Sequence, residues 1–425
     1  MIEDWDRPDP IIDEASLPRA VSPHPKALWL FSISKFFERF AHHGARSILV
    51  YYLFEKAGDA ALTDTRFTYE ILVASLVLVQ IPGGLLIDLG LRPKLAIIWG
   101  GFALGVGYFI CAFDNQAADL IGLILVGIGT ATFVPASFTR LAASYRGRKK
   151  YLDAGFSYYF AAIYGGSVSS GLLVVGIASG FIHWRQGLMI CGIAMMLGHV
   201  YILAIHKIFA ERPLPASVEN MTGKPLSKMK NSDRFGIFLF VIHALFWTVY
   251  FSRQTDMFNW LEVNFDGGEV GRFANMAAGI ITAVVFFAGG ALLTLRPGNV
   301  MRRMGQGLII AIFALDLLLG AVLLSGNFAG VHSSLFAIAL ILVLLAFAEM
   351  MILPPLYTLL LGKKRRFQNT LVGMLSAAAY LPLLGLYFFP EGILPETGKA
   401  MLLIICSVTI TMAGIWLIRQ KKTSA

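Results

Sequence analysis

Six residues able to carry charge fall inside one stretch long enough to cross a bilayer. Between Phe31 and Leu53 lie Lys35, Glu38, Arg39, His42, His43 and Arg46. About 20 helical residues span the hydrocarbon, and a charge placed there costs roughly 2.5–3.5 kcal/mol even on the lenient insertion scale. Positions 35, 39, 42 and 46 share one helical face, with Glu38 beside Lys35, Arg39 and His42. Phe36, Phe37, Phe40, Ile48 and Leu49 take the other face. A polar stripe on an apolar span is expected to face a cavity or pathway. Glu38 precedes His42 by one turn, a spacing that permits a carboxylate–imidazole contact, and histidine titrates near neutral pH. The chemistry this allows is proton uptake and release; the same residues also read as a static ion-pair knot. Glu349 is a second acid, alone in a long apolar run and followed by Pro354 and Pro355. Adjacent prolines remove backbone hydrogen bonds and are expected to break the helix, which a membrane tolerates where a cavity is lined. Lys35, Glu38, His42 and Glu349 are thus the expected proton-coupling residues. Arg253 and Asp256 are placed to gate a cavity by pairing across it. The aromatic residues Tyr158, Tyr159, Tyr164, Phe246, Trp247 and Tyr250 are possible lining, while His199 and His243 read as core histidines.

The elements that carry these residues are membrane helices. The 425 residues are 57% hydrophobic and 14% charged, with a mean hydropathy of +0.69. Soluble domains average about 25% charged residues. The net charge of +9 does not point to nucleic acid, because the basic residues sit in short loops between apolar spans. Cys111, Cys191 and Cys406 lie within apolar spans without metal-ligand spacing, so no metal or cofactor is expected. No paired acids or nucleophile–base pattern marks an enzyme, and no charge ring or filter sequence marks a channel.

Twelve spans are expected: Ala27–Phe54, Thr68–Leu89, Leu95–Phe113, Leu120–Leu141, Leu152–Ser179, Gly187–Ile205, Phe235–Phe251, Phe273–Leu295, Gly305–Leu324, Ser334–Leu361, Thr370–Phe389 and Met401–Arg419. The chain reads as an all-α integral membrane protein. It has an N-terminal tail (1–26), a six-helix bundle (27–205), a linker (206–234), a second six-helix bundle (235–419) and a short tail (420–425). The acidic, Pro-rich start lacks the basic and apolar regions of a signal peptide. Loop lysines and arginines collect on one side, from Arg92 and Lys94 to Lys363–Arg366, which places both termini in the cytoplasm and the chain in the inner (plasma) membrane. The halves echo each other: Gly83-Gly84-x-Leu86 ends span 2 and Gly289-Gly290-x-Leu292 ends span 8, while Pro135 answers Pro354. Paired six-helix halves are a transporter hallmark.

The loop after span 2 reads Gly84-x-x-x-Asp88-x-Gly90-x-Arg92-Pro93-Lys94. An acid at a helix end, a glycine turn and following bases can latch neighbouring helix ends, so Asp88 and Arg92 are expected gating or structural residues. This loop resembles the signature of the major facilitator superfamily. A narrower resemblance, to the proton-dependent oligopeptide transporter family, is carried by His24-Pro25-Lys26, Glu38-Arg39-Phe40, Gly44-x-Arg46, Asp153-Ala154-Gly155-Phe156-Ser157, Arg234-Phe235-Gly236, Phe246-Trp247 and Glu349 before Pro354. The departures are Lys35 for the first motif glutamate, His42-His43 for a tyrosine pair, Val134 for the fourth-helix lysine and Tyr164 for the fifth-helix asparagine. Neither Phe251 nor Arg253 supplies the seventh-helix acid. Asn275 falls near the eighth-helix asparagine. The resemblance implies a proton-coupled carrier working by alternating access as a monomer. Of the expected substrate-binding residues Arg39, Lys35, Arg46, His43, Tyr164, Trp247, Asn275 and Glu349, the resemblance implies Arg39, Glu349 and Asn275, and the others are read from charge and aromatic character. A cationic wall facing Glu349 selects a small charged or zwitterionic solute, peptide-like or carboxylate-bearing, with siderophores and drug-like metabolites as the alternative.

Overall fold

The computed structural model describes residues 22–57, 71–113, 115–145, 148–209, 230–264, 269–325, 331–362, 367–388 and 396–420. All regular structure among them is helical. In chain order the helices are α1 (Lys26–Ala57), α2 (Ile71–Leu89), α3 (Pro93–Cys111), α4 (Gln116–Ala143), α5 (Lys149–Ala178) and α6 (Trp184–Phe209). There follow α7 (Lys230–Asn264), α8 (Glu269–Leu295), α9 (Val300–Ser325), α10 (Val331–Leu361), α11 (Gln368–Phe388) and α12 (Glu396–Arg419). Ten of them contain, within the described residues, a stretch long and apolar enough to cross a membrane. α1, at 32 residues, is long enough but carries the charged stripe.

Local sequence sets the helix ends. Asn115 caps α4 by accepting from the Ala117 amide at 2.8 Å. α2 stops at Gly90, whose φ of +141° suits glycine, and Pro93 opens α3, where its missing N–H costs nothing. α5 is interrupted at Ser170. The prolines behave otherwise than the sequence reading expects. α10 continues as helix through Pro354 and Pro355, and α4 continues through Pro135. Pro135 frees the carbonyl four residues back, Ala131, and that carbonyl faces Gly83 of α2, where no side chain intervenes. The neighbouring helix thus covers what the proline exposes.

The chain forms two compact units. One comprises 1–155, 162–228 and 361–377; the other comprises 156–161, 229–360 and 378–425. In the first unit α1 lies along α6, and α3 packs between α4 and α6. Glycines permit the closest approaches: Gly44 faces Leu173 and Cys191, and Gly166 of α5 meets the Phe36 backbone and Arg39 Cβ of α1. α2 carries two adjacent glycines with separate partners, Gly83 against Ala131 of α4 and Gly84 against Asn369 of α11; Gly373 of α11 in turn meets Gln80 of α2. In the second unit the corresponding pair on α8 does the same. Gly289 meets Met350 of α10, and Gly290 lies against the Tyr158 ring of α5. Ser157 donates to the Phe286 carbonyl at 2.7 Å, and Phe156 and Phe160 pack on Tyr357.

Candidate functional site

The charged stripe of α1 is folded into the first unit as one cluster. Glu38 accepts a two-pronged contact from Arg39, Nε to Oε2 at 2.7 Å and Nη2 to Oε1 at 2.8 Å. The Lys35 ammonium sits 2.8 Å from Oε2. Lys35 and Glu38 are each 1% exposed, and Arg39 is 16% exposed. The ammonium also lies 5.8 Å and 5.6 Å from the ring centres of Phe133 and Phe138 on α4, within cation–π range. One carboxylate therefore serves two cations in a low-dielectric setting, and removing it strands the buried Lys35 ammonium. Lys35 is enclosed and engaged with Glu38; of the three cationic side chains expected to form a wall, Arg39 and Arg46 are the ones with accessible surface. His42 is buried, His43 is half-buried, and their rings meet edge to face at 5.3 Å. His42 and Arg46 both line a cavity of about 110 Å³ with residues of α2, α3, α4 and α6. Tyr164 is half-buried on α5.

Glu349 belongs to the second unit, buried in α10 at 2% exposure. Tyr250 of α7 hydrogen-bonds to its carboxylate. Tyr250 in turn packs edge to face on Trp247 at 5.0 Å. Trp247 Nε1 donates to His243 Nε2 at 3.2 Å, so His243 is a core histidine as read from the sequence. Asn275, Arg253 and Asp256 lie on α8 and α7 but outside the residues whose side chains are described.

Asp88 is a clasp. Its Oδ1 accepts from the Asn369 amide at 3.2 Å and from Asn369 Nδ2 at 2.9 Å; its Oδ2 accepts from the Thr370 amide at 2.8 Å and from Thr370 Oγ1 at 2.7 Å. These two residues stand in the first turn of α11, whose backbone N–H groups have no partner within the helix. A carboxylate supplied from another helix both satisfies them and complements the dipole. Thr139 of α4 donates to Asn369 Oδ1 at 2.6 Å, tying three helix ends together. Arg92 is exposed in the adjoining loop. At the same end of the first unit, His24 Nδ1 lies 2.7 Å from Tyr145 Oη. Burial, and then the charge of Arg148, push the His24 imidazole down to about 4.

Several partners escape the sequence reading. Asn369, Thr370 and Thr139 carry no periodic signal, although a polar pair just after the basic loop marks a helix start. Phe138 and Tyr108 are ordinary residues of apolar spans until the fold gathers them, and Asp119 stands just before the fourth expected span.

A family model described as Major Facilitator Superfamily matches residues 36–386. The chain is 25% identical over 271 residues to the "Uncharacterized transporter YclF" of Bacillus subtilis (strain 168), covering 62% of this chain and 51% of that protein. It is 28% identical over 177 residues to "Dipeptide and tripeptide permease A" of Proteus mirabilis (strain HI4320), covering 41% and 36%. The matched segments thus span about a third to a half of these curated relatives. Among solved structures, a peptide transporter POT in complex with sulfate aligns at 21% identity over 95% of this chain and 96% of that one, with a TM-score of 0.60. The human organic anion transporter MFSD10 (TETRAN) aligns at 14% identity over 93% and 100%, with a TM-score of 0.63.

Proposed function

The chain belongs to the Major Facilitator Superfamily, and from that membership we propose that it is a secondary active transporter. It moves a small zwitterionic or carboxylate-bearing solute, peptide-like in character, by alternating access and at the expense of a proton gradient. The observation that carries the reading is the buried Lys35–Glu38–Arg39 cluster on α1, three charges gathered on a membrane-length helix. Glu349, isolated in α10 and held by Tyr250, is the second support. The printed cargo of the permease relative, di- and tripeptides, supports a peptide-like solute; none of the relatives named above favours a siderophore. Arg39 and Arg46 are assigned to the cargo carboxylate, with His43, Tyr164, Trp247 and Asn275 as further contacts. Glu349 and His42 are assigned to protons, and Glu38 to holding the cations. Asp88 latches α2 to α11 and releases when the cytoplasmic end opens; Arg92, Arg253 and Asp256 are assigned to gating. The proposal includes twelve spans, both termini in the cytoplasm, the inner (plasma) membrane and a monomer.

Purified protein in liposomes tests this. The expected result is saturable, counterflow-competent uptake of a dipeptide, accumulated only under an inward proton gradient. Accumulation that survives an uncoupler removes the proton drive, and turnover without flux or plain ion current removes the carrier reading altogether. Glu349→Gln is expected to abolish accumulation while leaving counterflow.

A further inference from the structure

We infer that Lys35 is the member of the α1 cluster that changes protonation state, alternating between ammonium and neutral amine while Glu38 and Arg39 keep their charges. The hydrogen bonds point there first. An ammonium carries three N–H donors. One charged acceptor stands beside Lys35 Nζ, Glu38 Oε2 at 2.8 Å, and that oxygen also receives Arg39 Nε at 2.7 Å. Lys35 is 1% exposed, so at least two of its donors are buried without an acceptor among the described residues. The charges point the same way. Arg39 engages both oxygens of Glu38, which makes a balanced pair by itself. A charged Lys35 leaves the cluster one positive charge in excess in a low-dielectric place. Protonating Glu38 would enlarge that excess, and arginine does not give up its proton in proteins. The lysine is the group that can remove it.

The same surroundings also hold the charged form. The rings of Phe133 and Phe138 on α4 lie under the ammonium at 5.8 Å and 5.6 Å, and Oε2 stands beside it. The titratable or charged groups facing Lys35 and its partner are Glu38, Arg39 and His42 of α1 and Tyr108 of α3. On discharge the proton passes from Nζ to Oε2 and leaves to water beside Arg39, the member of the trio with accessible surface. On recharging it returns to Nζ through the same atoms. The use of this proton in transport rests on the transporter reading; the exchange itself does not.

Thermal unfolding of the purified full chain in detergent tests the exchange. In Glu38→Gln the ammonium has lost its partner. Lys35→Met in that background is expected to raise the melting temperature at about pH 6 by at least about 2 °C more than at about pH 9, where the amine is neutral. An equal gain at both pH values means that the lysine holds its proton throughout, and overturns the inference. Should Glu38→Gln fail to fold, wild type and Lys35→Met are compared instead: the advantage of Met over Lys is expected to shrink as pH rises, and a constant difference overturns the inference. In liposomes, Lys35→Arg fixes the charge. A Lys35→Arg protein with the wild-type melting temperature is expected to lose proton-driven accumulation, and where it does not fold, Lys35→Met, which holds no proton, serves in its place. Wild-type accumulation in the folded variant overturns the role in coupling. A pH-dependent gain with no flux in the wild type leaves the exchange standing and removes the transporter reading. Proton-driven flux with a pH-independent gain does the reverse.

Discussion

Lys35 and Val134 are two departures from the family pattern that the fold turns into one. Where the resemblance leads one to expect an acid on the first helix and a lysine on the fourth, the first helix supplies the lysine and the fourth supplies valine. Val134 is buried at 3% exposure beside Phe133, over whose ring the Lys35 ammonium lies at 5.8 Å. The cation beside Glu38 comes from its own helix, with Lys35 Nζ 2.8 Å from Oε2. Glu38→Gln is therefore expected to destabilise the protein by about 3–5 kcal/mol, the cost of stranding buried charge, read as thermal unfolding in detergent. Lys35→Met in the same background should recover part of that loss, and additive effects would show that the two side chains do not couple. His24 gives a pH signature outside the membrane. Its folded value of about 4 lies below its ordinary 6.5, so the unfolded chain binds the proton more readily between those values. The resulting stability is fully present above about 6.5 and is lost as pH falls through 4. His24→Gln should flatten the melting temperature across that window; an unchanged slope assigns the acid sensitivity elsewhere. The α1 stripe was legible because helical spacing alone gathers it. The aromatic floor under Lys35 was not, since nothing in an apolar run says which phenylalanine will face an ammonium.

At the scale of helices, glycine decides how closely elements approach. Gly84 faces the backbone of Asn369 and Thr370, which cannot swing aside as a side chain can. Gly84→Ala is expected to cost about 1–3 kcal/mol and to weaken the Asp88 clasp with it. Gly127 of α4 has nothing within 4 Å of an added Cβ, so Gly127→Ala should stay within about 1 kcal/mol and gain from helix propensity. Equal melting temperatures for the two variants would refute the contact argument. The paired glycines were visible in the sequence as an echo between halves, and the fold gives that echo its meaning: on α2 and on α8 alike, one glycine receives a neighbour of its own half and the next receives a helix from the other half of the sequence. The proline reading went the other way. Sequence shows which hydrogen bonds Pro135, Pro354 and Pro355 remove, but not that close packing lets the helix run on.

For the whole molecule, all-helical architecture and a membrane location were legible from hydropathy, while the cavity was not, because four helices contribute unremarkable leucines and valines to it. Topology makes one further prediction: cysteines placed at 363–366 should resist impermeant label in intact cells while those at 263–271 react, and the opposite pattern overturns the orientation. The clasp has a consequence for how the protein is made. Asp88 leaves the ribosome 281 residues before Asn369, and Ser157 leaves 129 residues before its acceptor Phe286. At about 5–20 residues per second, Asp88 waits roughly 15–60 s for its helix end. During that interval the N-terminal helices sit in the bilayer with a bare carboxylate and an uncovered Gly83-Gly84 pair, and a chain stalled before residue 369 is the form on which a membrane chaperone or a quality-control protease would act.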